Sequence, residues 1–138
     1  MYEDYIEGQV FIGMQFAGMS DIYDVLKKEC ELNSLNSVRV DELVGSNAII
    51  DDIKNLIEES EFLILDLTFS NTNVYYELGY ADGVGNEGRD ILLLAKNGTE
   101  LPFDTKHRRV LFYNDALDLS NQLQTKLPQF VKDGRKWK

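Results

Sequence analysis

Five residues near the middle of the chain, Phe62-Leu63-Ile64-Leu65-Asp66, constrain the fold more than any other segment. A continuous apolar run of strand length, without alternation, has no polar face to turn toward water. It belongs inside a sheet covered on both sides, which means a parallel sheet flanked by helices. The neighbouring segments agree. Residues 9–13 are a short apolar run ending in Gly13, residues 37–40 are extended, and residues 90–95 and 110–113 read as two more strands. Helical periods fall between them. Ser20 can cap a helix over 20–32, with Asp21 and Asp24 in its first turn where the helix dipole favours acids. Ile49, Ile53, Leu56 and Ile57 form one stripe over 48–59, and a third helix spans 74–83 before Gly83, Gly85 and Gly88. A closing helix covers 120–131, interrupted by Pro128.

The order is β-α-β-α-β-α-β-loop-β-α. Right-handed crossovers make this an α/β fold, a flavodoxin- or Rossmann-like doubly wound sheet of five parallel strands ordered 2-1-3-4-5. Ligands of such sheets bind beyond the carboxyl ends of the strands, where the strand order reverses. That rule selects residues 13–18, 41–47 and 68–73 before any motif is considered. The 138 residues read as a single domain, 1–138. The chain starts almost at its first strand, which hints at a domain cut from a longer protein.

Charge and composition exclude several functions. The formal net charge is −10, so a phosphate backbone would repel the chain and a nucleic-acid duplex is not an expected partner. Residues 41–66 hold eight acids against Lys54, a solvated face from which some carboxylates can line a site. No apolar run is long enough to cross a bilayer, and Met1-Tyr2-Glu3-Asp4 does not begin a signal peptide. A cytoplasmic protein is expected. Cys30 is the one cysteine and shares a helix face with Ile22, Val25 and Leu26, so it reads as core. With one His and no ligand spacing, no metal is expected. The first loop, Gly13-Met14-Gln15-Phe16-Ala17-Gly18, is not GxGxxG, and no P-loop lysine follows it. His107 lies in a basic cluster with Lys106, Arg108 and Arg109 that reads as a solvated loop or a phosphate contact.

The densest cluster of chemically able residues runs from Asp66-Leu67-Thr68 through Asn71 and Thr72-Asn73-Val74-Tyr75-Tyr76-Glu77-Leu78-Gly79-Tyr80-Ala81. With Asn73 as the N-cap, Glu77 falls one turn into the helix, near its positive end, which favours an ionised carboxylate. Glu77 is then either a dipole-compensating acid or a nucleophile. Tyr76 and Tyr80 share a stripe and can form a stacking wall or a core edge, and Gly79 permits a close approach. Asp51 and Asp52 start the helix after the second strand, and one of them is expected to face the same crevice. Two carboxylates about 5 Å apart suit a retaining displacement at an anomeric carbon. Asp66, at a strand end, can bond a sugar hydroxyl or cap its own loop.

These residues, together with Gly13, resemble the nucleoside 2-deoxyribosyltransferase-like superfamily, which includes deoxynucleotide N-hydrolases and is akin to NAD-cleaving TIR domains. The likeness covers roughly residues 9–113, and its specific part is the Tyr76–Ala81 run. It implies a nucleophilic role for Glu77, a substrate-holding or protonating role for Asp52, and enclosure of a base by Phe16 and Tyr76. The chain departs from the family in having Asn71 six residues before the glutamate, where an aspartate is common. It also has Met14-Gln15-Phe16 where Gly-Pro-Phe is usual. Both departures point away from a transferase acting on free deoxynucleosides.

The resemblance implies an enzyme that cleaves an N-glycosidic bond of a nucleoside or nucleotide, by hydrolysis or glycosyl transfer. Glu77 and Asp52 are its catalytic candidates. Gly13, Phe16, Ser46, Asp66, Asn71, Asn73 and Tyr76 are the substrate-binding ones. The amides of Gly45-Ser46-Asn47 at a helix start can seat a phosphate. No cofactor is implied, NAD being a substrate if it takes part at all. The alternatives are a non-catalytic nucleotide sensor and a TIR-like NAD-cleaving effector that acts on self-association, with a homo-oligomer as partner.

Overall fold

The computed structural model describes residues 5–39, 50–69, 72–84, 90–102 and 108–136, with backbone only at 50, 51, 72 and 73. Its strands are β1 (Ile6–Gly13), β2 (Asn36–Val38), β3 (Ser60–Asp66), β4 (Ile91–Lys96) and β5 (Val110–Tyr113). The helices are α1 (Ser20–Leu32), α2 (Ile50–Glu59), α3 (Thr72–Gly83) and α4 (Ala116–Arg135). All strand pairs are parallel and the sheet order is β2-β1-β3-β4-β5, the expected doubly wound arrangement.

Every residue of β3 is buried, as its unbroken apolar run requires. Alternate residues feed two cores. Phe62 and Ile64 join Val10, Ile12, Ile22 and Leu123 beneath α1 and α4. Leu63 and Leu65 join Phe11, Ile57, Val74 and Leu78 beneath α2 and α3. Cys30 lies fully buried in the first core, which pushes its thiol up to about 12. Among the described residues no helix is long and apolar enough to cross a membrane.

Two elements run past their expected ends, for identifiable reasons. β1 begins at Ile6 rather than at residue 9, because Gly8 works as a bulge and not as a breaker. Its φ of +82° suits glycine, and the four β1 steps from Ile6 to Val10 run opposite the two β3 steps from Ser60 to Phe62. The Gly8 N–H thereby donates to Glu61 Oε1 at 2.8 Å. α4 starts at Ala116 because Asp115 caps it, accepting from the Asp118 N–H at 2.8 Å while Asp118 Oδ2 accepts from the Asn114 N–H. It also runs through Pro128 instead of breaking there. Pro128 and Gln124, whose carbonyl loses its helical donor, are both exposed, so water takes the missing bond.

The far end of α4 is tied to the sheet by a fork of two bonds. Arg135 donates from Nε and from its terminal nitrogen to the two Glu61 oxygens, each at 3.0 Å. Glu61 is almost fully buried, so its charge depends on this guanidinium and on the Gly8 N–H. Arg135→Ala is expected to lower unfolding free energy by about 2 kcal/mol or more, measured by urea denaturation.

Candidate active site

The connections leaving the carboxyl edge of the sheet diverge between β1 and β3. The connection from β1 enters α1 on one face, and the connection from β3 enters α3 on the other. Gly13 closes β1, paired with Leu65 of β3, and its missing side chain decides the local geometry. A Cβ built there would stand 2.3 Å from Glu77 Oε1, 3.2 Å from Glu77 Cδ and 2.7 Å from Leu65 Cδ2. The Glu77 carboxyl therefore occupies the space an ordinary side chain at position 13 would take. Glycine is needed here for room, not for an unusual φ.

Glu77 is only 7% exposed, and its Oε1 is buried without a hydrogen-bond partner. Burial pushes its pKa up from the ordinary 4.5 to about 8. This reverses the expectation of a carboxylate held ionised by the helix. α3 begins at Thr72, one residue before the expected cap, so Glu77 sits in the second turn. The helix field fades beyond the first turn, and desolvation prevails. An orphaned carboxyl of this kind is an energetic liability unless a ligand completes it.

Asp52 lies half-buried in the first turn of α2, which packs with α3 on the Glu77 side of the sheet. Tyr76 is exposed beside Glu77 on α3. Tyr80 faces elsewhere: its hydroxyl donates to Glu58 of α2, and the Lys54 ammonium lies 5.5 Å from its ring centre. The two tyrosines thus do not make a stacking wall, because α2 draws Tyr80 into the helix–helix contact. Gly79 faces open space, with nothing near where a Cβ would stand.

Asp66 serves the scaffold with both oxygens. Oδ1 accepts from the Thr68 N–H at 2.8 Å, and Oδ2 accepts from the buried Tyr113 hydroxyl at 2.6 Å. Thr68 Oγ1 in turn accepts from the Lys96 N–H at 3.0 Å. This network links the ends of β3, β4 and β5 and sets the start of the loop leading to α3. Of its two expected roles, a sugar contact or a loop cap, the structure displays the cap.

Phe16 is half-buried and packs edge-on against Tyr23 of α1, with ring centres 5.5 Å apart. Arg39, directly after β2, lies over both rings: its guanidinium carbon is 4.5 Å from the Phe16 centre and 4.4 Å from the Tyr23 centre. The sequence reading passed over Arg39. The available signal was a basic residue at the carboxyl end of a predicted strand, in a stretch with no other cation between Lys28 and Lys54. Ser46, Asn71, residues 41–47 and His107 lie outside the described residues, as do the side chains of Asp51 and Asn73.

No protein-family model matches this chain, and no curated protein does. Solved structures do. The Clostridium botulinum CMP N-glycosidase BcmB superposes with a TM-score of 0.65 at 14% identity, over 84% of this chain and 97% of that one. A variant of a flavo di-iron protein from Thermotoga maritima gives 0.60 at 13% identity, over 92% of this chain and 37% of its own. At such identities the likeness is one of fold.

Two outcomes follow from the Gly13–Glu77 contact. Gly13→Ala is expected to destabilise the protein by about 1–3 kcal/mol, since the Glu77 carboxyl or the strand must move; thermal unfolding measures this. Between pH about 4.5 and 8 the folded chain keeps a proton on Glu77 that the unfolded chain has released. Stability must therefore fall as pH rises through that window, by on the order of a few kcal/mol at most. Glu77→Gln should remove this fall, so unfolding of the two proteins compared at about pH 5 and about pH 9 isolates it.

Proposed function

We propose that this chain cleaves the N-glycosidic bond of a nucleotide-type substrate, with the Glu77 carboxyl acting at the anomeric carbon. One observation carries the reading: a buried carboxyl with an unpartnered oxygen, packed on the bare backbone of Gly13 at the edge where doubly wound sheets bind ligands. The fold shared with a CMP N-glycosidase supports it, as does the resemblance of residues 73–81 to the deoxyribosyltransferase-like superfamily.

In this reading Glu77 gives up its proton to solvent as substrate binds. Sugar hydroxyls donating to the orphaned Oε1, and positive charge developing at C1′, both favour the anion. A carboxylate oxygen then bonds to C1′ while the C1′–N bond breaks and its electron pair passes to the base nitrogen. A poor leaving base needs a proton at that moment, and Asp52 is the proposed donor. Water next attacks C1′, losing its proton to Asp52, by then a carboxylate, and the Glu77 carboxylate leaves. A second base in place of water would make the reaction a transfer. The raised pKa also favours another assignment, in which Glu77 is the acid that protonates the leaving base and water attacks directly.

Incubation with deoxynucleotides, ribonucleotides and NAD, followed by chromatography and mass spectrometry, should show release of a base from one of them. Glu77→Gln should lower that release on the order of a thousandfold or more. A nucleophilic Glu77 makes activity rise with pH toward its pKa, and an acidic one makes it fall. Failure of every substrate to lose its base would refute the reading.

A further inference from the structure

Tyr113 is fully buried in the core beneath α1 and α4, on the sheet face opposite Glu77, yet its hydroxyl holds the segment that leads to α3. It donates to Asp66 Oδ2 at 2.6 Å, across the intervening β4. Burial and the Asp66 carboxylate push the Tyr113 hydroxyl above its ordinary range, so it stays a donor from acid to mildly basic pH. Asp66 Oδ1 accepts from the Thr68 N–H, Thr68 Oγ1 accepts from the Lys96 N–H, and the Leu67 N–H donates to the Leu94 carbonyl at 2.7 Å. These bonds keep residues 66–68 in line with the sheet where β3 ends. Strand alternation then runs on, so Leu67 follows Leu63 and Leu65 into the core beneath α2 and α3. α3 enters that same core with Val74, Leu78 and Ala81. Those positions lie three residues before Glu77, one after it and four after it, so Glu77 belongs to the inward stripe of its helix. How deep its carboxyl sits against Gly13 depends on where the stripe lands, and Leu67 is part of the core that receives it.

We propose that Tyr113 is a positioning residue for Glu77. Through Asp66 its hydroxyl fixes the path of Leu67 and Thr68, and with that path the depth at which α3 seats the carboxyl. Tyr113 acts from the other face of the sheet, by way of backbone and packing. Without the hydroxyl, Asp66 Oδ2 is a buried acceptor that has lost its donor, and the segment must shift to reach another donor or water. α3 then rides higher, and water gains access to the Glu77 carboxyl. The inference rests on the N-glycosidase reading only for naming Glu77 as the reacting group; the placement is a property of the folded chain.

Direct titration of the Glu77 carboxyl is the test, and it needs no substrate. Carbon-13 NMR of protein labelled at the glutamate carboxyls reads the pKa in the folded chain, with the signal assigned by its absence from Glu77→Gln. Wild type should titrate at about 8. Tyr113→Phe should titrate lower by about one pH unit or more, since a carboxyl that water reaches returns toward its ordinary value. Arg135→Ala, which frees the far end of α4 from Glu61, is the control: it lowers stability, and Glu77 should titrate as in wild type. A hydroxyl that only stabilised the fold would make Tyr113→Phe behave like this control, and that result overturns the proposal. Thr68→Val removes the acceptor of the Lys96 N–H and should move Glu77 the same way as Tyr113→Phe, whereas Thr68→Ser keeps the hydroxyl and should not. If Tyr113→Phe does not fold, the Thr68 pair decides, and equal titration of Val and Ser variants overturns the proposal. In turnover, Tyr113→Phe should lower kcat about tenfold and change KM less. A lowered Glu77 titration without release of base from any substrate would keep the positioning role and dismiss the glycosidase. Base release at the wild-type rate from Tyr113→Phe, with Glu77 titrating as before, would do the reverse.

Discussion

A strand that water cannot reach from either side imposes most of this architecture. β3 is buried along its whole length, so helices must cover both faces of the sheet. The chain meets that demand by sending α1 and α4 to one face and α2 and α3 to the other. The crossing over between faces happens at the β1–β3 boundary, and that is where the carboxyl edge opens. The crevice is thus a by-product of covering β3. Its lining comes from whatever residues end β1 and begin α3.

What those residues do there is settled by a competition between the helix field and desolvation. A carboxylate near the start of a helix gains from the exposed N–H groups, but the gain is confined to the first turn. Glu77 lies beyond it, against Gly13 and Leu65, and burial governs its charge. Below about pH 8 Glu77 is therefore a neutral acid whose Oε1 lacks a partner.

Several polar residues near the carboxyl edge hold the scaffold. Asp66 is consumed by Thr68 and Tyr113, and Tyr80 by Glu58. Glu61, which looks in sequence like one more acid of a solvated face, is instead the buried anchor of Arg135 and Gly8. Glu77 keeps a buried oxygen without a partner, and the Arg39 guanidinium lies over the Phe16 and Tyr23 rings. Sequence makes Glu77 the catalytic candidate and Asp66 a substrate-binding one, and their hydrogen-bond partners differ in the same sense.

The sequence by itself determined the strand order, the two-faced helix packing and the core position of Cys30. These follow from hydrophobic period and crossover handedness, which are local or nearly local rules. Tertiary structure decided the rest. That Gly8 is a bulge depends on Glu61, fifty-three residues away, accepting its N–H. That Pro128 does not end a helix depends on which side of α4 meets water. The protonation of Glu77 depends on what packs around it, and the position of Arg39 depends on rings from a loop and a different helix. Burial and hydrogen-bond pairing are properties of neighbours in space, and no period in a chain records them.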